Sequence, residues 1–258
     1  MLRADSDLSG AKKKITSFIR DRVERSQTDG VVFELNGDIN SAVTAYLCIE
    51  ALGTRRVTGL MMPDLRLAAD EDMADAKTVA EELCLETREF DIAPIHKAFM
   101  KNLEGNRPAE DNLRARIRMS LLYYQANILN RLVTGIGDRS EFLLGYFTKH
   151  GSGGADILPI ADLYRSEVRK LGEVLGINRR VVAKKGNRRA RTGQVAGVKF
   201  DLDYDKADQI FRLRLEGGLD VETIASKTGT PRAEVEAIIL RYESSSHKRA
   251  RPDVCSLR

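Results

Sequence analysis

Apolar positions follow a helical spacing in some parts of the chain and form short continuous runs in others. Residues 11–26 show the helical spacing, because apolar side chains recur three and four positions apart at Ile15, Phe18, Ile19 and Val23. Asp29 and Gly30 interrupt this pattern, and residues 31–35 form an apolar run of the kind found in buried strands. This part of the chain therefore predicts a helix that leads into a strand.

The alternation between helical spacing and apolar runs continues along the chain. It predicts strands at residues 57–62, 87–92 and 132–135 and helices at residues 41–52, 70–85, 113–130 and 162–175. Strands that alternate with helices favour a parallel sheet, since parallel neighbours need a crossover connection. Right-handed crossovers place helices on both faces of such a sheet. The sequence therefore predicts an α/β fold with a doubly wound parallel sheet.

The character of the chain changes after Gly176. Residues 181–200 are basic, rich in Gly and without an apolar period, which predicts a lid loop outside the sheet. Three helical segments follow at residues 205–216, 220–228 and 231–242. We expect a single domain over residues 1–258, with the α/β core at 1–180, the basic lid loop at 181–200, and C-terminal helices and tail at 201–258.

Composition narrows the class of protein. The chain is 42% hydrophobic and 31% charged, as is usual for a soluble globular protein. No apolar run approaches the roughly 20 residues that cross a bilayer, and residues 1–10 lack the apolar segment of a signal peptide. We therefore expect a cytoplasmic protein that does not insert into membranes.

The basic residues are unevenly distributed although the formal net charge is only +4. Five cationic residues crowd residues 184–191, and His247, Lys248, Arg249 and Arg251 crowd the tail. Both clusters are suited to an anionic ligand, although the commoner explanation of such clusters is a solvated surface loop.

Two stretches of sequence are distinctive. They read GIGDRSEFLLGYFTKHGSGGADILPIADLYRSEVR at residues 135–169 and NLRARIRMSLLYY at residues 112–124. Both resemble the ammonia-dependent NAD synthetase family of the N-type ATP pyrophosphatase superfamily. VVFELNGDINSAV at residues 31–43 is similar to the family's phosphate loop of pattern S-G-G-x-D-S, and MMPD at 61–64 and HKR at 247–249 match further family positions. The resemblance implies an adenine-nucleotide alpha hydrolase-like fold and a homodimer.

The resemblance also implies a reaction. Members of the family adenylate the carboxylate of deamido-NAD with ATP and Mg²⁺, and ammonia then displaces AMP. This chemistry needs backbone N–H groups that bind phosphate, carboxylates that bind Mg²⁺, and a pocket for the dinucleotide. The chain shows no segment for releasing ammonia from glutamine, so we expect it to use free ammonia.

The phosphate loop departs from the family pattern at three positions, where Asn36, Asp38 and Asn40 stand in place of Ser, Gly and Asp. Asn36, Gly37 and Ser41 match phosphate-binding positions, and Asp38, Asn40 and Ser41 match the catalytic part of the loop. Asp38 replaces a Gly, which adds a Cβ and a negative charge where a phosphate must approach. Asn40 replaces the metal-binding Asp and removes a charge that Mg²⁺ needs. By residue type alone, Asn36 and Asn40 suit a turn and a helix cap.

The resemblance assigns Glu141 as the second magnesium carboxylate. Without it, a Glu at a helix start is more simply a partner of the helix dipole. Asp38, two positions from Asn40, is the candidate for the missing carboxylate if the loop has changed shape. The predicted metal ligands are therefore Glu141 and Asp38.

The remaining candidates for nucleotide binding follow from the resemblance. Arg116 lies on the long helix, where an Arg-rich face is as readily explained by solvation. The loop at residues 149–156 matches a family loop that closes on the dinucleotide. Arg165 stands where a Lys is common. These candidates are Arg116, Lys149, Asp156, Arg165, Lys184, His247 and Lys248.

The lid departs furthest from the family pattern. The family has P-S-A followed by G-Q-x-D-E, whereas this chain has GNR at residues 186–188 and GQVAG at residues 193–197. Ala196 and Gly197 replace the acidic pair, so the lid and Asn40 together lose three acidic groups.

Three hypotheses follow from these departures. The leading one is a NAD-synthetase-like protein that is impaired or inactive in the parent amidation and binds a nucleotide or acts as a noncatalytic partner. The second is an active synthetase, or a ligase on a related carboxylate, with a metal site rearranged around Asp38 and Glu141. The third, which the pattern does not favour, is a nucleic-acid module formed by the basic lid and the C-terminal helices.

Overall fold

The centre of the protein is a four-stranded parallel sheet. A computed structural model describes residues 5–67, 70–184, 192–195, 198–201 and 203–256. The strands are β1 (Gly30–Glu34), β2 (Val57–Met61), β3 (Glu86–Glu89) and β4 (Arg131–Thr134). They lie in the order β3-β2-β1-β4, and every neighbouring pair is parallel. From β1 the chain adds β2 and then β3 on one side, and it returns to add β4 on the other side of β1. This topology confirms the predicted parallel sheet.

Helices connect the strands and cover the sheet. Within the core they are α1 (Asp5–Arg25), α2 (Ile39–Leu52), α3 (Asp70–Glu82), α4 (Ala93–Met100), α5 (Arg107–Leu129), α6 (Arg139–Leu143), α7 (Arg165–Val174) and α8 (Arg179–Val182), with a 3₁₀ turn at Thr54–Arg56. The C-terminal helices are α9 (Tyr204–Phe211), α10 (Val221–Thr228), α11 (Arg232–Ser244) and α12 (Ser246–Arg249), and a π-helical turn at Arg212–Glu216 follows α9.

Both faces of the sheet are buried. Successive side chains of a strand point to opposite faces, so Val31 and Phe33 pack with residues of α1, α2 and α7, while Val32 packs with residues of α5. All three side chains are fully buried. A strand buried on both faces reads as a continuous apolar run, as β1 does in the sequence.

Several helices differ from their predicted bounds. The long helix α5 starts at Arg107 instead of residue 113, because Asn106 caps it by accepting a hydrogen bond from the N–H of Ala109 and Pro108 suits its first turn. Helix α7 starts at Arg165, three residues after the predicted start. The short helices α4, α6 and α8 were not predicted, since four to eight residues give too few turns for a periodic pattern.

The predicted lid loop contains a β-hairpin. Strand β5 (Thr192–Val195) pairs antiparallel with β6 (Val198–Asp201) in a separate two-stranded sheet, so the segment lies outside the main sheet as predicted but is not a plain loop. The GNR segment at residues 186–188, the replaced acids Ala196 and Gly197, and four of the five cationic residues at 184–191 lie outside the described residues.

The C-terminal helices pack on the core through a separate apolar cluster. Its buried members include Tyr204, Phe211 and Ile238 from these helices and Leu144 and Tyr164 from the segment around α6 and α7. The three predicted helical segments are confirmed as α9 with its π-helical turn, α10 and α11. Among the described helices, none has the length and apolar character needed to cross a membrane; the cytoplasmic location stays a prediction.

A buried carboxylate ties the end of β2 to α5. Asp64 is 2% exposed, and it accepts hydrogen bonds at 3.0 Å from Arg66 Nε, Arg66 Nη2 and Arg114 Nε. Burial by itself raises the pKa of Asp64, but the hydrogen bonds from the two Arg side chains outweigh it and lower this pKa to about 2. Asp64 is therefore charged in the folded protein at any ordinary pH.

Asp64→Asn is expected to lower the free energy of unfolding by about 2 kcal/mol at pH 7, since a pKa that differs by one between the folded and unfolded states corresponds to about 1.4 kcal/mol. A pKa that is lower in the folded state stabilises the protein above the unfolded value near 4, and this contribution is lost as the pH falls towards 2. Urea denaturation from pH 7 to pH 3 should therefore show the variant and the parent converging.

Glu222→Gln is the control for this measurement. Glu222 is an exposed carboxylate paired with Arg232 on the surface, and its replacement should cost less than about 0.5 kcal/mol. A loss for Asp64→Asn that stays constant over the whole pH range would show that shape, and not charge, is what Asp64 contributes.

Candidate active site

The loop between β1 and α2 is a tight turn that its own side chains close. Asn36 Oδ1 accepts a hydrogen bond from the N–H of Asp38 at 3.1 Å, so Asn36 has the turn role that its residue type favours. Asp38 Oδ1 accepts from the N–H of Ser41 at 2.8 Å, and Ser41 Oγ donates to the carbonyl of Asp38 at 3.0 Å. Asp38 is therefore the N-cap of α2.

The capping role bears on the predicted metal role of Asp38. Its second carboxylate oxygen, Oδ2, lies 3.5 Å from Asn36 Nδ2, so both oxygens face groups of their own loop. Glu141, the other predicted metal ligand, has its carboxylate hydrogen-bonded to Asn40 and Arg165. The carboxylate of Asp38 also lies at the positive end of the α2 dipole, where an anionic ligand would approach.

Gly37 is held in the loop by its backbone conformation and by its neighbours. Its φ is +77°, and a Cβ at this position would lie 2.0 Å from the carbonyl oxygen of Asp72 in α3. Lys184, in the first part of the lid segment, donates from Nζ to the carbonyl of Gly37 at 3.1 Å and to Asp72 Oδ1 at 2.7 Å. It also forms an ion pair with Asp75. The base of the lid is thus attached directly to this loop.

The start of α6 places two carboxylates beside Asn40. Asp138 is the N-cap of α6, and its Oδ1 accepts from the N–H of Glu141 at 2.8 Å. Asn40 Nδ2 donates to Asp138 Oδ2 at 3.0 Å and to Glu141 Oε2 at 3.2 Å. Asp138 is completely buried and Asn40 is 1% exposed. The first turns of α2 and α6 therefore meet through side chains at the carboxyl edge of the sheet.

A buried guanidinium lies between these carboxylates. Arg165 Nη1 donates to Asp138 Oδ2 at 2.9 Å and to Glu141 Oε1 at 3.2 Å. Its guanidinium carbon lies 5.2 Å from the centre of the Tyr204 ring on α9, within the range of a cation–π contact. Arg165 is 2% exposed. Side chains of four helices, α2, α6, α7 and α9, thus converge on one point.

The charges in this cluster shift one another's proton affinities. Burial and the neighbouring carboxylate of Asp138 raise the pKa of Glu141, while Arg165 opposes this rise. Burial disfavours the charged form of Arg165, but the negative charges of Asp138 and Glu141 outweigh it and raise the pKa of Arg165. A cationic ligand beside the two carboxylates would favour their charged forms, and it would therefore oppose the rise in the pKa of Glu141.

Comparisons with known proteins agree with this geometry. The sequence model of the family described as NAD synthase matches residues 11–252, which is nearly the whole chain. The chain belongs to the NAD synthase family.

Curated relatives and solved structures support the same assignment. The NH(3)-dependent NAD(+) synthetase of Methanosarcina acetivorans is 40% identical over 255 residues, which cover 97% of this chain and 99% of that protein. The corresponding protein of Archaeoglobus fulgidus is 40% identical over 247 residues, with 95% and 96% covered. The NH3-dependent NAD synthetase structure from Campylobacter jejuni superposes with a TM-score of 0.82 at 30% identity, covering 96% of this chain and 99% of that chain.

A second solved structure is similar in fold and carries a different name. The NMN synthetase of Francisella tularensis superposes with a TM-score of 0.80 at 28% identity, covering 97% of this chain and 99% of that chain. Both neighbours show that the doubly wound sheet with its C-terminal helices is the fold of NAD synthetases.

The cluster around Asn40 offers two carboxylates and one amide oxygen, and oxygen atoms of this kind are the ligands that Mg²⁺ prefers. Magnesium prefers oxygen ligands, and it is usually held by one or two protein carboxylates. Within the described residues, Asn40 Oδ1 is buried and accepts no hydrogen bond. Buried polar atoms are seldom left without a partner. Asn40 Oδ1, Asp138 and Glu141 would therefore hold the ion, sharing the two carboxylates with Arg165.

Four of the predicted nucleotide ligands lie together, away from this cluster, and bind protein groups. Arg116 Nε donates to the carbonyl of Lys149 at 3.3 Å, and Lys149 Nζ donates to the carbonyl of His247 at 3.1 Å. Lys248 Nζ donates to the carbonyls of Gly145 and Phe147 at 2.9 and 3.0 Å. The structure thus uses Lys149 and Lys248 to attach the loop after α6 to the C-terminal tail.

Asp156 also has a structural role. Its Oδ2 accepts from the N–H of Val133 in β4 at 2.7 Å, and its Oδ1 accepts from the hydroxyl of Tyr123 at 3.0 Å. The neighbouring Ile157 forms a parallel bridge with Thr134. Asp156 therefore fixes the edge of the sheet and does not face the cluster around Asn40.

Sequence reasoning missed two residues of the cluster. Asp138 is part of the GDRSE segment, and an Asp three positions before a Glu at a helix start is the sequence signal of an N-cap. That signal predicts the cap of α6, but not the contacts with Asn40 and Arg165. Tyr204 begins α9, one residue before the predicted start of this helix, and it has no local signal that connects it with Arg165.

Proposed function

We propose that this chain is an active ammonia-dependent NAD synthetase that amidates the nicotinate carboxylate of deamido-NAD with ATP, Mg²⁺ and free ammonia. The observation that carries the proposal is the oxygen cluster of Asn40, Asp138 and Glu141. It provides two carboxylates and a buried amide oxygen that accepts no hydrogen bond from the described residues, at the edge of the sheet where helix starts bind phosphates. The identity of 40% with curated synthetases over nearly the full chain also supports the proposal.

The hypothesis of an impaired enzyme is less well supported. It rests on the changes that the sequence shows in the phosphate loop and the lid, and in particular on Asn40 as a lost metal carboxylate. Asp138 lies 3.0 Å from Asn40 through its hydrogen bond and offers a replacement on another helix. We therefore favour the second sequence-based hypothesis, an active enzyme with a rearranged metal site, and assign the second carboxylate to Asp138 instead of Asp38.

The proposed reaction has two steps, as in the family. A carboxylate oxygen of deamido-NAD attacks the α-phosphorus of ATP and pyrophosphate leaves, and ammonia then attacks the acyl carbon and AMP leaves. Bound Mg²⁺ would offset the negative charge of the triphosphate. Arg165 supplies a fixed positive charge beside the two carboxylates, and Lys184 supplies another at the phosphate loop. Both cations favour the charge that develops on the leaving pyrophosphate.

The proposed homodimer stays a prediction. Helix α5 exposes Tyr124 and Ile128, one turn apart, at 62% and 58%, and Phe99 on α4 is 53% exposed. Large apolar side chains grouped on a helix face are typical of a surface that another protein covers. We do not propose the nucleic-acid module, because the C-terminal helices bury one face against the core and contribute Tyr204 to the cluster.

Purified protein with Mg²⁺-ATP, deamido-NAD and ammonium chloride is expected to release AMP, and omission of either ammonia or Mg²⁺ should abolish the amidated product. Chromatography of AMP and NAD measures both. Glu141→Gln is the matched control, since it keeps the size of the side chain and removes the negative charge that faces the proposed ion. The proposal would be overturned if the protein binds ATP but releases no AMP in the presence of any nicotinate substrate.

The same assay distinguishes two substrates. The similarity to an NMN synthetase structure makes the mononucleotide with the same nicotinate carboxylate the alternative substrate. Equal concentrations of the two nicotinate substrates in one reaction give the ratio of their kcat/KM values directly. We expect the dinucleotide to be preferred, as in the curated relatives that are 40% identical.

A further inference from the structure

A buried carboxylate outside the cluster joins the two helix starts that build it. Asp208 on α9 is 2% exposed and lies one turn after Tyr204. Its Oδ2 accepts from the N–H of Ser166 at 3.0 Å and from Ser166 Oγ at 2.8 Å. Its Oδ1 accepts a short hydrogen bond from Ser140 Oγ. The carboxylate therefore bonds both α6 and α7 from a third helix.

These hydrogen bonds satisfy groups that a helix cannot satisfy by itself. The first N–H groups of any helix lack a partner within it. At the start of α7, the N–H of Arg165 donates to Ser140 Oγ at 2.8 Å and the next one, of Ser166, donates to Asp208. Ser140 accepts from Arg165 and donates to Asp208, so its hydroxyl links the two. The start of α7 is thus held by Ser140 and Asp208.

The two helix starts carry the charged groups of the proposed site. Arg165 is the first residue of α7, and Glu141 follows Ser140 directly in α6. The guanidinium of Arg165 must lie within hydrogen-bond reach of both Asp138 and Glu141 to bridge them. A displacement of about 1 Å at such a position is enough to weaken a catalytic arrangement.

We infer that Asp208 is a positioning residue for the proposed amidation, which sets Arg165 and Glu141 at their working distance by holding the starts of α7 and α6 together. The inference rests on the proposed function. The carboxylate touches no group of the cluster directly, and it acts through the Ser140 hydroxyl and the backbone of α7.

A second contact from the same helix supports this role. The Tyr204 ring lies 5.2 Å from the guanidinium carbon of Arg165. Helix α9 therefore contacts the Arg165 side chain through Tyr204, and it supports the backbone at the start of α7 through Asp208. Burial raises the pKa of Asp208 to about 6, against the opposing effect of its Ser140 and Ser166 donors. At neutral pH the Asp208 carboxylate is therefore charged, and it can accept the hydrogen bonds from Ser140 and Ser166.

Asp205 provides a matched control on the same helix. It also joins α9 to α7, because Arg169 Nη1 lies 3.1 Å from its Oδ2, but its side chain is 53% exposed and faces away from the cluster. Asp208→Asn and Asp205→Asn make the same chemical change. Only the first removes a carboxylate that bonds the starts of α6 and α7.

The experiment measures kcat, the KM for Mg²⁺-ATP and the affinity for Mn²⁺ in both variants, with thermal unfolding as the stability readout. Asp208→Asn is expected to lower kcat or Mn²⁺ affinity by about 10- to 100-fold, the usual effect of removing a group that orients a ligand. Asp205→Asn should stay within about twofold of the parent, like most changes at exposed positions. Equal effects of the two variants, or a lower Tm for Asp208→Asn with unchanged kcat, KM and Mn²⁺ affinity, would overturn the inference.

Two further measurements keep the test decisive. If Asp208→Asn does not fold, Ser140→Ala removes only the hydroxyl between Asp208 and the N–H of Arg165, and it should lower kcat about 10-fold. If the parent releases no AMP, the proposed function fails and the crystal structure of Asp208→Asn decides the positioning role. An Arg165 guanidinium displaced from Asp138 and Glu141 supports that role, and unchanged contacts refute it.

Discussion

Replacing Asp138 by Asn is expected to lower the rate of AMP release and the affinity for Mg²⁺ by about 10- to 100-fold, whereas Asp38→Asn should change either by less than about threefold. Asp138 is buried between Asn40 and Arg165 and supplies one of two charges to the proposed ion. Asp38 faces groups of its own loop. Steady-state assays over a range of Mg²⁺ concentrations measure both effects.

The two variants are matched because both residues are helix N-caps with the same geometry. Asp38 has φ −93° and ψ 168°, Asp138 has φ −94° and ψ 170°, and each accepts from the N–H three residues later at 2.8 Å. Asn caps a helix about as well as Asp. Each substitution therefore keeps its cap and removes one charge, so a difference between them comes from what each carboxylate contacts outside its own cap.

Two results would contradict this assignment. A larger loss from Asp38→Asn than from Asp138→Asn would return the metal role to Asp38, as the sequence predicts. A gain in ATP affinity from Asp38→Asn, with Asp138→Asn unaffected, would instead show that the cap opposes the triphosphate and that Asp138 contributes only to structure.

Gly37→Ala is expected to lower the free energy of unfolding by about 2–6 kcal/mol. Part of this loss, about 1–3 kcal/mol, comes from placing a Cβ at a positive φ. The rest comes from overpacking, which typically costs about 1–3 kcal/mol, because the new Cβ would lie 2.0 Å from the carbonyl oxygen of Asp72 and 3.1 Å from the N–H of Ala76. Urea denaturation at pH 7 measures the loss.

Gly53→Ala separates the two contributions. Gly53 has the same φ of +77°, and a Cβ there would meet no atom within 4 Å. This variant should therefore lose only about 1–3 kcal/mol, the strain of the positive φ. Equal losses of stability at the two positions would show that the phosphate loop can move away from α3 at little cost. The close contact with Asp72 would then not restrain the loop.

The strands and main helices followed from local patterns. Val31, Val32 and Phe33 form an apolar run because both faces of β1 are buried, and α1, α2 and α5 repeat apolar residues at helical spacing. The short helices and the hairpin of β5 and β6 could not be predicted in this way. Their few residues are held by hydrogen bonds and packing to other parts of the chain, which leave little periodic signal.

The sequence predicted several residues that the structure brings together, but it did not predict their arrangement. It placed Arg165, Asn40 and Glu141 near the nucleotide and gave Asp38 the metal role on the basis of its nearness to Asn40 in the chain. Lys149, Lys248 and Asp156 matched family positions, but in the structure their side chains bond backbone groups of the fold. A match to a family position identifies the residue type, but the contacts of its side chain depend on which residues the fold places beside it.

By itself the sequence determined the doubly wound sheet and the family, and it predicted which two loops after the strands carry the chemistry. These depend on periodicity and on motifs, which are properties of neighbouring residues. Only the tertiary structure decided that Asp138, and not Asp38, shares Asn40 with Glu141. Asn40 and Asp138 are 98 positions apart, and they meet because parallel strands bring the carboxyl ends of β1 and β4 to one edge, where the first turns of α2 and α6 face each other.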